Sequence, residues 1–299
     1  MLLQKLEKIQ KIATNIMARK SLYSQNKEKI LNRFKSAPYY FSNKQIVKIL
    51  NKLKDNSLLS ESISFDALLK SLINEGFYSY SLKIKDVYYT RYTFIKKINP
   101  IRFAATLGGP SPFLSMTSAL NFQGLTNYRE DFIFVSNELS KKDSAEVTLK
   151  QEAVDNAFRK GKTRYSTTIG AMDEKKIILL SPKFSNNLEI IKYKDLRVST
   201  VNRAFVEMMI NVHYFRSSEN IINIYKPLKD KLDLNRIYEI IDKLDYIYPY
   251  FQCAGFYLEQ IGFEKNELCL FKERVSKLNF YAQKGKESYV YNTYWKMYY

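Results

Sequence analysis

The sequence is poor in the residues that build metal sites, disulfides and histidine-dependent catalytic centres. Its 299 residues include two cysteines, Cys253 and Cys269, and one histidine, His213. The cysteines do not form a Cys-x-x-Cys pair, so a zinc finger and a disulfide scaffold are both excluded. A Ser-His-Asp or Cys-His mechanism would have to use His213, whose apolar neighbours in the sequence favour a structural role.

The sequence also lacks the short motifs of phosphate-binding loops, dinucleotide-binding folds, zinc metalloproteases and α/β-hydrolases. No run approaches the roughly 18 consecutive apolar residues of a membrane span, and the first residues do not have the apolar segment of a signal peptide. We therefore expect a cytoplasmic, non-enzymatic protein with no catalytic residues, no cofactor, no metal and no membrane partner. One enzymatic alternative stays open, a metal-dependent nuclease that uses Glu189 and Lys192.

Positive charge is concentrated in the first third of the chain. The formal net charge is +18. Residues 1–100 contain 19 Lys and Arg against 7 Asp and Glu, whereas residues 101–299 contain 29 against 23. A basic region beside a nearly neutral one is typical of a domain that binds the phosphate backbone of nucleic acid. The alternative is a proteome that is basic throughout.

Capping signals and hydrophobic periodicity predict two helices followed by a hairpin. Ser42 with Gln45 forms a capping box that begins one helix. Ser64 caps a second helix, which ends at Gly76. In residues 77–94 the pattern of side chains changes to a period of two, which predicts two strands. The apolar positions of the two helices are expected to be buried: Ile46, Ile49, Leu50, Leu53, Leu68, Leu69, Leu72 and Ile73.

This order of elements is typical of a winged helix-turn-helix domain, which we predict over residues 1–97 with two further basic helices in residues 2–37. The helix of residues 64–75 would enter the major groove of double-stranded DNA, and the hairpin would lie along the backbone. Lys70 can meet a phosphate or a guanine edge, and Asn74 can pair with an adenine edge. The predicted DNA-binding residues are Ser64, Lys70, Ser71, Asn74, Lys83, Lys85 and Arg91.

The helix predicted to read DNA carries a single cation, Lys70. This leaves a second interpretation open, in which the small domain packs against protein and does not bind DNA. The two interpretations predict different partners for the same helix.

Residues 102–126 separate the basic region from the rest of the chain. They contain three of the nine glycines and two of the seven prolines. Gly108, Gly109 and Pro110 interrupt regular structure, and a helix is expected from Ser115 to Gly124. We interpret the stretch as a joint that leads into a larger, mixed α+β domain over residues 98–299. An ordinary loop and helix within one domain is the alternative.

Five segments form an ordered set of motifs in this larger part of the chain. They are residues 91–126, with Leu-Gly-Gly-Pro-Ser-Pro-Phe-Leu-Ser-Met-Thr-Ser-Ala-Leu at their centre, and residues 147–158, 198–208, 244–259 and 294–299. In this order they resemble the antitoxin and transcriptional-regulator family of the AbiE abortive-infection systems, the AbiEi-like antitoxins of type IV toxin–antitoxin systems. The resemblance covers roughly residues 40–299. Asn202 and Phe251 stand where that family tends to have Glu and His, and residues 1–37 extend beyond many of its members.

The resemblance implies a protein with two functions. The N-terminal domain would bind the operator of its own operon and repress it. The C-terminal domain would neutralise a nucleotidyltransferase-like toxin encoded nearby, which in type IV systems need not involve direct contact. We therefore expect an autorepressor and antitoxin in phage defence. The alternative is a non-enzymatic protein-interaction scaffold of a defence system, with a degenerate winged-helix domain.

Overall fold

The computed structural model describes residues 21–36, 39–128, 131–141, 148–159 and 165–299. The chain has the mixed α+β composition that the sequence predicts. Its contacts divide it into two units. The first unit contains the described residues up to Ser81 together with Tyr88–Ile98, and the second contains Leu82–Val87 and Asn99–Tyr299. The basic helix predicted within residues 2–20 lies outside the described residues.

Helices of the first unit precede a two-stranded sheet whose tip, Leu82–Val87, belongs to the second unit, and the local signals place these helices correctly. The elements are α1 (Leu22–Gln25), α2 (Lys27–Lys35), α3 (Asn43–Asp55), α4 (Phe65–Asn74), β1 (Tyr78–Ile84) and β2 (Val87–Thr93). Ser42 and Gln45 form the predicted capping box at the start of α3. The Ser64 hydroxyl accepts a hydrogen bond from the Ala67 N–H at 3.1 Å and caps α4.

Aromatic side chains fill the core of the first unit. Phe34 meets Phe41 and Phe77 edge to face, with ring centroids 5.4 and 5.6 Å apart. A backbone bridge joins Phe41 to Tyr92, and each N–H donates to the other carbonyl at 2.9 Å. The segment before α3 is therefore tied to β2, which fixes the hairpin to the helices.

The second unit contains a mixed sheet of six strands formed by described residues. These are β3 (Phe113–Leu114), β4 (Phe132–Ser136), β5 (Ile169–Met172), β6 (Lys175–Leu180), β7 (Ile190–Tyr193) and β8 (Leu196–Ser199). Their spatial order is β5-β6-β4-β3-β8-β7. β4 runs parallel to β6 and β3 runs parallel to β8, whereas β3 and β4 are antiparallel.

Helices and a small C-terminal sheet complete the second unit. The helices are α5 (Pro100–Ala104), α6 (Met116–Gln123), α7 (Gln151–Phe158), α8 (Val201–Ile210), α9 (Ser218–Tyr225), α10 (Leu234–Leu244), α11 (Tyr250–Ile261) and α12 (Cys269–Lys272), with 3₁₀ turns at Val212–Phe215 and Lys226–Lys231. Strands β9 (Phe280–Tyr281), β10 (Tyr291–Asn292) and β11 (Met297–Tyr298) form a sheet in the order β10-β11-β9.

The stretch interpreted as a joint lies inside the second unit. The predicted helix is α6, with Ser115 at its N-cap and Gly124 in the left-handed conformation (φ 73°) after its last residue. Met116, Ala119 and Leu120 on this helix are fully buried. The interpretation as a joint is therefore wrong for the helical part, because its apolar side chains are core residues of the larger unit.

An ionic network centred on Arg203 lies in the interior of the second unit. The guanidinium donates to Glu207 and to Glu138, each at 2.9 Å, and all three side chains are almost completely excluded from solvent. Glu207 also accepts from the Ser199 hydroxyl at 2.8 Å and from the Met116 N–H at 3.2 Å. The network joins α8 to the start of α6 and to the end of β8.

Candidate nucleic-acid interface

Helix α4 presents two of the predicted base-contacting residues to solvent. Lys70 and Asn74 are both exposed and lie one turn apart, on the side of α4 away from the buried Leu68 and Leu72. Within the described part of the chain, neither side chain has a hydrogen-bond or ion-pair partner. Both functional groups are therefore available to a ligand.

The two predicted serines of α4 are engaged with the helix backbone. Ser64 is exposed, and its hydroxyl caps the helix through the Ala67 N–H. The half-buried Ser71 donates its hydroxyl to the Ala67 carbonyl at 2.9 Å. Ser64 can still meet a phosphate with its hydroxyl hydrogen, whereas Ser71 contributes to the helix rather than to an open binding face.

The sequence-based assignment of Ile73 to the core is wrong. Its side chain is 48% exposed, whereas Leu68 and Leu72 are fully buried. Helix α4 buries only a narrow stripe at positions i and i+4, so the residue after Leu72 turns away by about 100°. This rotation places Ile73 beside Asn74 and one turn from Lys70. The outer face of α4, defined here as Lys70, Ile73 and Asn74, therefore combines a cation, an amide and an apolar group.

The predicted wing residues differ in how much of each side chain is exposed to solvent. Lys83 and Lys85 are exposed near the turn of the hairpin, where Lys85 has a positive φ of 52°. Arg91 is half-buried, and its guanidinium donates to the Thr90 carbonyl at 2.8 Å. Burial lowers the pKa of the Arg91 guanidinium. Lys83 and Lys85 are therefore better placed than Arg91 to meet a phosphate.

The tip of the hairpin packs within the second unit. Leu82 and Ile84 are buried there, while Lys83 and Lys85 between and after them point outward. Strand β5 accommodates the tip with a glycine, because a β-carbon on Gly170 would lie 2.8 Å from Ile84 Cγ1 and 2.9 Å from Leu82 Cδ2. The structure thus groups the predicted α4 residues in one unit and the two lysines of the tip in the other.

The residues considered for a nuclease do not converge on a metal site. Glu189 accepts a hydrogen bond from the Thr200 hydroxyl at 2.6 Å, just before α8, and lies 3.9 Å from Arg236. Lys192 is exposed on β7. Among the described residues, no group of three or more His, Cys, Asp or Glu side chains is arranged to hold a metal ion. The contacts of Glu189 are those of a residue that fixes the start of a helix.

His213 lies in an aromatic environment of the second unit. Its ring is 4.4 Å from that of Tyr214 and 5.2 Å from that of Tyr165, measured between centroids. Burial, together with the nearby charge of Lys284, lowers the pKa of His213 to about 4. The imidazole is therefore neutral near neutral pH and packs as an aromatic side chain.

Comparisons with known proteins give a fold but no family. No family model matches the chain, and no curated protein sequence matches it significantly. The fold is similar to that in the crystal structure of the RV2827C protein from Mycobacterium tuberculosis, with a TM-score of 0.51 and 10% sequence identity. The alignment covers 90% of this chain and 89% of that one. Similarity at this level of identity shows a likeness of fold alone.

Among the described residues, no helix has the length and hydropathy required to pass through a lipid bilayer.

Proposed function

We propose that the chain is a DNA-binding autorepressor and antitoxin of a type IV toxin–antitoxin system, with a winged helix-turn-helix in its first unit. The observation that carries the proposal is the outer face of α4, where Lys70, Ile73 and Asn74 are exposed together. Helices α3 and α4 are followed by a hairpin that the Phe41–Tyr92 bridge fixes to them. This arrangement supports a helix that enters the major groove next to a wing.

The chemistry of the outer face of α4 matches the edges of base pairs. Lysine can donate to the O6 and N7 acceptors of guanine, and asparagine pairs with N6 and N7 of adenine. The exposed apolar group of Ile73 suits the 5-methyl group of thymine, which also lies in the major groove. All three groups can act on neighbouring base pairs because they lie within one turn of helix.

The antitoxin part of the proposal concerns the second unit. Three segments that resemble AbiEi-like proteins form α6, α8 and α11, and α8 contacts both of the other helices. Met116, Phe205 and Tyr257 on these helices are fully buried, so the resembling motifs supply the core of this unit. The functional partner would be a nucleotidyltransferase-like toxin, neutralised with or without direct contact.

A second candidate function is a protein-interaction scaffold with a degenerate winged helix. Two observations favour it. Helix α4 carries one lysine and one aspartate, so it contributes no net charge, and Ile73 offers an apolar contact suited to a protein partner. In this alternative the outer face of α4 binds protein and not DNA.

A separation-of-function experiment distinguishes the two candidates. The double variant Lys70→Ala/Asn74→Ala is tested for gel shift of the region upstream of its own operon, and for protection of cells against the cognate toxin from an unrelated promoter. The proposal predicts loss of the gel shift with protection retained. The matched control is Lys231→Ala/Asn235→Ala, an exposed pair at the same spacing in the second unit, which should retain both activities.

Two results would contradict the proposal. Normal operator binding by the double variant would show that α4 does not read DNA. Loss of protection in a folded, abundant double variant would show that neutralisation needs the outer face of α4, which contradicts the proposed separation of functions and favours the scaffold alternative.

A further inference from the structure

Helix α3 carries a row of unpaired lysines on its solvent side. Lys44, Lys48 and Lys52 are spaced at i, i+4 and i+8, and all three are exposed. Residues four apart lie above one another on a helix, so these side chains form one line about 12 Å long at 1.5 Å per residue. We refer to Lys44, Lys48 and Lys52 as the lysine row.

The lysine row differs from two other lysines of the first unit, which have local partners. Lys54, on the same helix, donates to the Glu61 carbonyl at 2.8 Å, and Lys27 pairs with Glu75 at 2.6 Å. Within the described residues, the amines of the lysine row have neither a hydrogen bond nor an ion pair. Asp55 follows one turn after Lys52 but forms no salt bridge with it there.

The charge at the N-terminal end of α3 is unfavourable for the helix itself, whereas Lys52 and Lys54 in the last turn are favourable there. Its first turn contains Lys44 and no acidic residue, although the N-terminal end of a helix dipole is positive and favours anions. The helix carries four lysines against one aspartate, whereas α4 carries one of each. A ligand that supplies negative charge along the whole row removes this repulsion.

We propose that the lysine row on α3 is the main phosphate-binding surface of the first unit and takes the backbone of duplex DNA. This inference rests on the proposed function. Each strand of duplex DNA carries one charge per about 3.4 Å of axis, so the length of the row spans about three to four phosphates of one strand. Lysine side chains are flexible point charges without a fixed geometry, so the row contributes affinity while α4 contributes sequence preference.

The test measures how steeply DNA binding depends on salt. The affinity for a short duplex of arbitrary sequence is measured by fluorescence anisotropy over a series of salt concentrations. The variant Lys44→Gln/Lys48→Gln/Lys52→Gln removes the row, and glutamine has nearly the same helix propensity as lysine. The control Lys226→Gln/Lys231→Gln/Lys277→Gln removes the same charge from exposed positions of the second unit.

Each neutralised phosphate contributes about −0.9 to the slope of log K against log salt concentration. The slope of the row variant should therefore be less steep than that of the wild type by about 2.7, and the control should match the wild type. Thermal unfolding checks the fold. Should the triple variant unfold, Lys48→Gln alone is used, with an expected change of about 0.9.

Two negative results are distinguishable. A wild-type protein that binds DNA with a steep salt dependence, together with an unchanged slope in the row variant, would overturn the assignment of the row and leave the proposed function intact. A wild-type protein that does not bind duplex DNA even at low salt would overturn both.

Discussion

Gly255 on α11 lies directly against the indole ring of Trp295. A β-carbon on Gly255 would come within 2.2 Å of Trp295 Cζ3. Trp295 is fully buried, and its Nε1 donates to Glu259 at 2.5 Å. The C-terminal segment therefore fits against α11 only because residue 255 has no side chain.

We expect Gly255→Ala to destabilise the protein by about 1–3 kcal/mol, because a methyl group would overpack this contact. The direction of this change in stability is informative, because replacement of glycine by alanine within a helix otherwise stabilises the protein by up to about 1 kcal/mol. Urea denaturation gives the free energy of unfolding. In a Trp295→Leu background, where the indole ring is absent, Gly255→Ala should cost much less than it does in the wild type. A Gly255→Ala variant as stable as the wild type would refute the close contact.

Loss of the buried ion pair of Arg203 and Glu138 should destabilise the protein far more than loss of an exposed ion pair. Arg203→Met leaves Glu138 and Glu207 as buried carboxylates without their cation, which costs about 3–5 kcal/mol. Arg236→Met is the control, because Arg236 and Glu239 are exposed and solvent screens their charges, so its effect on stability should be much smaller. Equal effects of the two substitutions on the free energy of unfolding would contradict the central position of Arg203.

His213 should make the fold sensitive to acid. Its pKa is lowered to about 4 in the folded protein from 6.5, so the unfolded chain binds the proton more strongly. The stability that neutral His213 contributes is complete above pH 6.5 and is lost as the pH falls toward 4. Solvent screening of this half-buried ring keeps the total below the roughly 3 kcal/mol that the full shift would give. His213→Gln should lose less stability than the wild type over this range of pH. Parallel pH profiles of unfolding in the two proteins would argue against this role.

The sequence predicted those parts of the first unit whose signals are local. The capping box of Ser42 and Gln45 and the hairpin turn at Lys85 depend on neighbouring residues, and both are present in the structure. The exposure of Ile73 depends instead on how α4 is rotated against its neighbours. The pattern Leu68, Leu69, Leu72, Ile73 is equally compatible with a wide or a narrow buried face, and sequence alone does not distinguish them.

Contacts between distant segments were not predictable in the second unit. Arg203 meets Glu138 across 65 positions of the chain, and β3 pairs in parallel with β8 through a single register contact, Leu114 with Val198. Neither the pairing partner nor the register of such elements is encoded locally. For the same reason the local sequence around Ser115 favours a joint, although its helix is part of the core. The lysine row on α3, in contrast, can be recognised in the sequence from its i, i+4, i+8 spacing.

The contact proposed for Ile73 can be tested by removing a single methyl group from the DNA. Replacement of the contacted thymine by deoxyuridine should weaken wild-type binding about fourfold, the value of one buried methyl group. Ile73→Ala should bind both duplexes equally. Val47→Ala is the control, because Val47 is an exposed apolar residue on α3 and its loss should leave the difference between thymine and uracil intact. Should Ile73→Ala remain sensitive to the methyl group, Ile73 does not contact it.

Sequence preference is the most direct test of the central claim that α4 reads DNA. The measurement is the ratio of the affinity for the region upstream of its own operon to that for a scrambled duplex, at physiological salt. We expect a ratio of at least about 10³ for the wild type, the range of specific DNA-binding proteins. Lys70→Ala and Asn74→Ala should each reduce the specific affinity by about 1–3 kcal/mol. The affinity for the scrambled duplex should stay unchanged in Asn74→Ala and fall by much less than the specific affinity in Lys70→Ala. Equal affinity of the wild type for both duplexes would contradict the claim.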